Sequence, residues 1–402
     1  MSEWKKVKLG ECCHSISDGD HLPPPKSKSG IPFVTIANID VTNHIDFGNT
    51  MFVPFEYYDN LNDIRKARCN DILYSVVGSF GKPVLIKENI PFAFQRHIAI
   101  LRPNNEIAES RFLYYIMLSR DFYMQADTVA IGAAQRTISL TALRNMEVEL
   151  PPMETQHRIA TILSRYDSLI ENYQKQIKLL EEAAQRLYKE WFVDLHFPGH
   201  ENTKIVDGVP EGWEKKKVGE IGKVITGKTP STANKENYGG RIPFITIPDM
   251  HTGIYPTSSQ FLSSLGANSQ SGKFIPANSL MVSCIGTAGL VCITKEECQT
   301  NQQINSLVLN DNSLLYYMYN TFLSLKKHLN NIGSNGATMT NVNKSKFESI
   351  EILIPTNSIS NLYNKAVEQS FRSIKTLSSQ IRLLTEARDR LLPKLMNGEI
   401  NI

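Results

Sequence analysis

The feature that most limits what this chain can fold into is that it is written twice. "WKKVKLGE" from Trp4 returns as "WEKKKVGE" from Trp213, "IPFVTIANI" from Ile31 as "IPFITIPDM" from Ile242, and "NDILYSVVGSFG" from Asn70 as "NSLMVSCIGTAG" from Asn278. "FLYYIMLS" from Phe112 is echoed by "LLYYMYNT" from Leu314, and "QIKLLEEAAQRL" from Gln176 by "QIRLLTEARDRL" from Gln380. The matches are collinear, with small loop changes between them. Repetition on this scale predicts two structural units of one fold, and 402 residues are more than one core comfortably holds.

Each copy begins with short apolar runs rich in β-branched and aromatic residues and punctuated by Gly, Pro and Asn: "IPFVTIANI", "DILYSVV" and "HIAIL", then "IPFITI", "SLMVSCI" and "INSLVL". These predict strands. A short helix is expected around Arg111–Ala126 and again around Asn312–Asn331, and a last strand ends at proline in "MEVELPP" and "IEILIP". After that proline the period changes to three and four. Ile159, Tyr166, Tyr173, Ile177, Leu180 and Leu187 mark an apolar seam on one long helix; Ile374, Leu377, Ile381, Leu384 and Leu391 mark it on the other. Over Gln156–Trp191 such a helix is about 54 Å long, and its seam needs a partner. The reading is α+β: two tandem mixed α/β heads, each followed by a long helix, with the two helices forming an antiparallel coiled coil in a pseudo-twofold repeat. The expected division is a first head (1–152), a first long helix (153–196), a linker (197–212), a second head (213–356) and a second long helix (357–402).

Composition narrows the function classes. A formal net charge of +3 announces no strongly basic domain, so nucleic-acid binding has to rest on local patches. Residues 1–20 do not resemble a signal peptide, and no apolar run approaches the roughly 20 residues that cross a bilayer. The six cysteines include no C-x-x-C and no partner at zinc-ligand spacing. Buried free thiols in a cytoplasmic protein, away from membranes, are expected.

One short pattern points elsewhere. "GKVITGKT", Gly222–Thr229, satisfies the phosphate-loop spacing. A working phosphate loop follows a buried strand and opens a helix whose amides hold the phosphates, but "PSTANKENYGGRIP" has no helical period. A coincidental match is the better reading, and nucleotide binding stays open only as a third possibility. His97 and His157 lack partners at argued spacing. No methyltransferase motif, cofactor loop or paired-carboxylate cluster stands out, so no catalytic residue and no metal ligand is assigned.

The heads offer glycine loops flanked by polar side chains. "GSFGK" (Ser79, Lys82) matches "GTAG" (Thr287), "FQRHI" (Gln95, Arg96, His97) matches "NQQIN" (Asn301, Gln302, Gln303), and "GAAQRTIS" (Gln135, Arg136) matches "GSNGATMT" (Asn335, Thr338). Gln, Asn and Arg carry the forked donors and acceptors that pair with base edges, glycine lets backbone approach phosphate, and Lys26 and Lys28 add local charge. Similar loops with different side chains in two copies of one scaffold suggest two readers of different DNA sequences. The competing reading is a duplicated protein-binding adaptor without DNA recognition.

The layout resembles the specificity subunit of type I restriction–modification systems over essentially the whole chain. "GKTPSTANKENYGGRIPFITIPDM" is similar to that family's Gly-x-Thr-Pro, Tyr, glycine turn, Ile-Pro-aromatic-Ile and acidic sequence, and "LRNMEVELPPMETQHRIATIL" and "LLPKLMNGEI" also match. The first copy departs from it, with "SISDGDHLPPPKSKSG" in place of the entry pattern, and "IPTNSISNLYN" lacks the Glu-Gln after the proline. The resemblance implies two target-recognition domains that read the halves of a split double-stranded DNA sequence. It also implies docking of two methyltransferase subunits on the long helices, joined by restriction subunits. S-adenosylmethionine, ATP and Mg2+ would serve those partners, with no cofactor in this chain.

Overall fold

The computed structural model describes every residue except 1–3, 22, 41, 134, 335–340 and 401, and the side chain of 334. Two compact units emerge, Met1–Ile170 with Leu384–Ile402, and Glu171–Leu383. The boundary cuts both long helices, so each unit contains one head and parts of two helices.

The first unit carries β1 (Lys5–Lys8), β2 (Cys13–Asp18), β3 (Ile31–Val34), β4 (Met51–Val53), β5 (Ile72–Ser75), β6 (Pro83–Leu85), β7 (Ala93–Phe94), β8 (Ile98–Pro103) and β9 (Glu147–Leu150). They form a four-stranded sheet in the order β2-β8-β5-β6, a three-stranded sheet β4-β3-β7 and a β1-β9 pair. Only β3 and β7 run parallel. The four-stranded sheet is buried on both faces, and alternation along its strands sorts the side chains. Ile72, Tyr74, Ala99 and Leu101 face a core with Phe112, Leu113 and Phe122 of helices Ser110–Leu118 and Arg120–Val129. Leu73, Ile98 and Ile100 face a second core with Val34 and Phe94. A period of two thus builds three layers.

The second unit repeats the plan. A hairpin of β10 (Ile205–Val206) and β11 (Val209–Pro210) precedes β12 (Glu214–Lys217), β13 (Gly222–Thr226), β14 (Tyr238–Ile245), β15 (Gln260–Leu262), β16 (Leu280–Ser283), β17 (Val291–Ile293), β18 (Gln299–Thr300), β19 (Ile304–Leu309) and β20 (Glu351–Ile354). The sheet orders are β13-β19-β16-β17, β15-β14-β18 and β12-β20, the same topology as in the first unit. The expected linker holds more structure than its composition suggested. Asp207 and Gly208, both at positive φ, close the β10-β11 hairpin. Phe197 packs on Trp213 with ring centroids 5.2 Å apart.

The first long helix spans Met153–Tyr188 and ends in a π turn, Lys189–Val193; the second spans Asn357–Met396. Within each unit the two helices touch, and both join the local core. Ile159, Ala160 and Leu163 share the first core with Leu392 and Leu395, Leu391 packing against it. Ala184 shares the second with Tyr363, Val367, Phe371 and Ile374, and Ile177, Leu180 and Leu187 pack against it. Arg388 meets Asp167 in the first unit, and Tyr363 donates to the carbonyl of Ala184 in the second. Numbering rises along one helix as it falls along the other, the antiparallel order. Tyr166, Tyr173, Leu377, Ile381 and Leu384 are half-buried and lie outside the two cores. Part of the seam is therefore an extension of the head cores and not a free-standing coiled coil.

Candidate nucleic-acid interface

At one end of each four-stranded sheet, loops distant in sequence are stitched together by backbone hydrogen bonds, three of which recur at matching positions in the two heads. In the first head Gly19 N–H donates to Ile98, Val76 to His97, Gly78 to Arg136 and Ile138 to Val76. In the second, Gly227 donates to Ile304, Cys284 to Gln303 and Val342 to Cys284. The glycine loops are held from beneath by a serine. Ser75 Oγ donates to Ser79 O and accepts from Lys82 N–H, while Ser283 Oγ accepts from Leu290 N–H. Gly78 and Gly286 sit at φ +71° and +76°, where an L side chain is strained.

This convergence gathers Ser79, Lys82, Gln95, Arg96, His97, Gln135 and Arg136 in the first head, and Thr287, Asn301, Gln302 and Gln303 in the second. Asn335 and Thr338 lie outside the described residues. Lys26 and Lys28 are exposed, but Ser27 between them is fastened to Phe52 of β4, so they stand on the other sheet.

The gathered side chains are not equally available. Arg96 and Gln135 are exposed, Gln95 and His97 half-buried, and none has a side-chain hydrogen bond among the described residues. Arg136, by contrast, is occupied. It donates to the Asp127 carboxylate and to the carbonyls of Asp127 and Ala130, and its guanidinium lies 5.3 Å from the Phe80 ring. Phe80 in turn stacks on Tyr123 at 5.8 Å. This places Arg136 as a brace for the last loop, while the exposed Arg96 is left unengaged.

The second head ties its amides to each other. Thr229 Oγ1 lies 2.6 Å from Gln302 Oε1, and Asn301 Nδ2 donates to Gln303 Oε1 at 3.0 Å. Thr229 belongs to the phosphate-loop match, whose fate is now plain: Gly222–Thr226 is a strand of the main sheet, Lys228 N–H is bonded to Thr300, and the only helical turn that follows before β14 is the short Lys235–Asn237. No helix N-terminus stands where phosphates would have to sit.

Sequence reasoning missed a charged group at the same place in the first head. Strand register puts Asp18 opposite Ala99 where Thr226 faces Asn305. Asp20 then occupies the position of Lys228. Arg65 lies 3.7 Å from both carboxylates, and Tyr57 donates to Asp20 at 2.7 Å. Burial, then that bond, keeps the Tyr57 phenol protonated well above its usual range. The exchange of Asp20 for Lys228 between the copies was the available signal.

Of the cysteines, Cys12, Cys284, Cys292 and Cys298 are buried and Cys13 is half-buried; Cys69 is exposed, against expectation. Its neighbours are loop residues in place of strand partners.

A duplicated scaffold with two loop surfaces of matching backbone and differing side chains is a recognition protein. The family model described as type I restriction modification DNA specificity domain matches residues 1–182 and 210–385, and the chain belongs to that family; its role is recognition and not catalysis. It is 32% identical to the type I restriction enzyme HindI specificity subunit of Haemophilus influenzae, with all of both chains covered. It is 29% identical to the MjaIX specificity subunit of Methanocaldococcus jannaschii, over 73% of this chain and 69% of that one. In fold it matches the type I restriction-modification S subunit from M. genitalium with a TM-score of 0.61 at 16% identity, covering 98% of this chain and 96% of that one. Among the described residues no helix is long and apolar enough to cross a membrane.

Proposed function

We propose that the chain reads a two-part double-stranded DNA sequence, one part with each head, and carries the methyltransferase subunits that act on it. The observation behind this reading is the paired loop surface: one backbone arrangement, presented twice, with Gln95, Arg96, His97 and Gln135 in one head and Asn301, Gln302 and Gln303 in the other. Ser79, Lys82 and Thr287, in the glycine loops, are assigned to phosphate or base contact, and Lys26 and Lys28 to flanking phosphates. The working division is the two heads (1–152 and 213–356), the two long helices (153–196 and 357–402) and the connector (197–212). The helices are assigned the docking of two methyltransferase subunits, which restriction subunits join. S-adenosylmethionine, ATP and Mg2+ belong to those partners and the assembly to the cytoplasm.

Two measurements test this. Mapping methylated adenines in cells that make the chain with its partner subunits should return one split, gapped motif. Binding to the matching duplex should weaken log-linearly with salt, with a slope set by the number of phosphates neutralised. A continuous motif, or no duplex binding, would overturn the proposal.

A further inference from the structure

We infer that Gln303 reads a base in the second head strictly as a hydrogen-bond donor, and that Asn301 is the positioning residue that sets this polarity. The inference rests on the DNA-reading proposal and adds which chemistry of base edge this head accepts.

The argument follows from one bond whose direction is certain. The backbone N–H of Gln303 lies 3.2 Å from Asn301 Oδ1. A backbone N–H only donates, so the Asn301 atom facing it is the oxygen. The other end of that amide is then Nδ2, which also only donates, and it meets the Gln303 side chain at 3.0 Å. The Gln303 atom turned inward is therefore Oε1, and Nε2 is turned the other way. That NH2 has no hydrogen-bond partner among the described residues. It hangs over Gly286, 4.0 Å from where a Cβ would stand, beside exposed Thr287.

The first head fills the same spot differently. Over Gly78, the counterpart of Gly286, lies Gln135 Nε2, at 3.8 Å from a Cβ position. Gln135 comes from the last loop, whereas Gln303 comes from the strap before β19. His97 stands where Gln303 does, and nothing locks the amide of Gln135. Free to turn, Gln135 offers both a donor and an acceptor, the pair that adenine matches in the major groove. Gln303 offers a donor alone. It suits an acceptor, O6 or N7 of guanine, O4 of thymine or N7 of adenine, and excludes cytosine, which offers only a donor there.

The test selects bound duplexes from a pool with randomised blocks, using the full-length chain. Asn301→Asp keeps an acceptor for the backbone N–H but loses the side-chain donor. Gln303 then turns its Nε2 inward and presents Oε1. Gln303→Glu still accepts from Asn301 and presents a carboxylate oxygen outward. Both variants should admit cytosine at the same position of the same half-site, where the wild type excludes it, by a factor on the order of 10. The wild-type preference at that position tells guanine, thymine and adenine apart. Gln135→Glu should change a position in the other half. Melting curves accompany each variant; if Asn301→Asp unfolds early, Gln303→Glu carries the test. Selection of one unchanged sequence by wild type and both variants overturns the inference and leaves the DNA reading standing. Failure of the wild type to enrich any sequence removes both.

Discussion

Arg388, near the end of the second long helix, donates to Asp167 on the first at 2.7 Å, and Tyr115 of the first head donates to the other carboxylate oxygen at 2.5 Å. One carboxylate thus ties a head helix and two long helices together. Burial, the Asp167 charge and the shared hydrogen bond hold the Tyr115 phenol protonated far above its usual range. In the repeat, the positions matching Asp167 and Arg388 are Phe371 and Ala184, both inside the second unit's apolar core. Asp167→Ala should destabilise the first unit by about 2–3 kcal/mol, because Arg388 and Tyr115 lose a common partner in a largely buried place. Asp167→Phe with Arg388→Ala, copying the other unit, should recover most of that loss. Urea unfolding of the two variants checks this; a single variant as stable as wild type would refute the clamp.

The two arginines of the first head should behave oppositely. Arg96→Ala removes an unengaged cation and should cost about 1–3 kcal/mol of DNA affinity, with a smaller salt slope if its contact is a phosphate. Arg136→Ala removes the brace on the Ile131–Thr137 loop and should lower the melting temperature before it alters any one target position. Anisotropy titrations beside melting curves distinguish them.

Gly227 and Gly19 permit the closest backbone approach in each interface. A Cβ on Gly227 would stand 2.1 Å from the carbonyl oxygen of Asn301, and one on Gly19 would stand 2.1 Å from that of Phe94. Phe94 lies in β7 and Asn301 directly follows β18, so neither carbonyl has much room to yield. Gly227→Ala should displace the entry loop at a cost of about 1–3 kcal/mol and relax only the half-site read by the second head. Gly19→Ala should relax only the other. Duplex selection reads the outcome, and relaxation of the wrong half would contradict the assignment of loops to heads.

Leu180 packs against the second core although it belongs to the first long helix. Leu180→Asp puts a charge there without a partner. A lowered melting temperature is expected, together with weaker capture of the methyltransferase subunits. A variant that melts and assembles like wild type would show that this part of the seam is dispensable.

Thiol chemistry gives a pH-dependent check on burial. Burial pushes Cys284, Cys292 and Cys298 up to about 12 and Cys12 to about 11. In the native protein at pH 8 a thiol reagent should label exposed Cys69 quickly and these four slowly, while denaturant releases all six. A raised thiol value means that the folded state keeps protons that the unfolded state sheds above about pH 8.5. Stability should therefore fall as pH rises from about 9 toward 12. Rising stability in that window would count against their burial.

Much of the fold was legible in the chain because repetition and period are local signals. The runs "DILYS" and "SLMVS" show strands, their alternation sorts Ile72 and Tyr74 from Leu73, and the change of period after Pro152 and Pro355 marks the long helices. Composition misjudged one stretch. The connector looked structureless, yet Phe197 and Trp213 are buried and Asp207-Gly208 closes a hairpin. The phosphate-loop spacing was legible as coincidence because no helical period follows it, and Gly222–Thr226 is indeed a sheet strand.

The chain by itself determined that there are two heads of one topology, each followed by a long amphipathic helix, because each apolar side chain's face follows from spacing along its own segment. Only the tertiary structure decided what the polar residues do. Arg136 and Arg96 look alike as text, and one is turned onto Asp127 while the other is left free. Asn301 and Gln303 look like two independent amides, and one backbone N–H orients them both. Hydrogen-bond direction depends on neighbours that the fold brings in from elsewhere in the chain, and no local period encodes it.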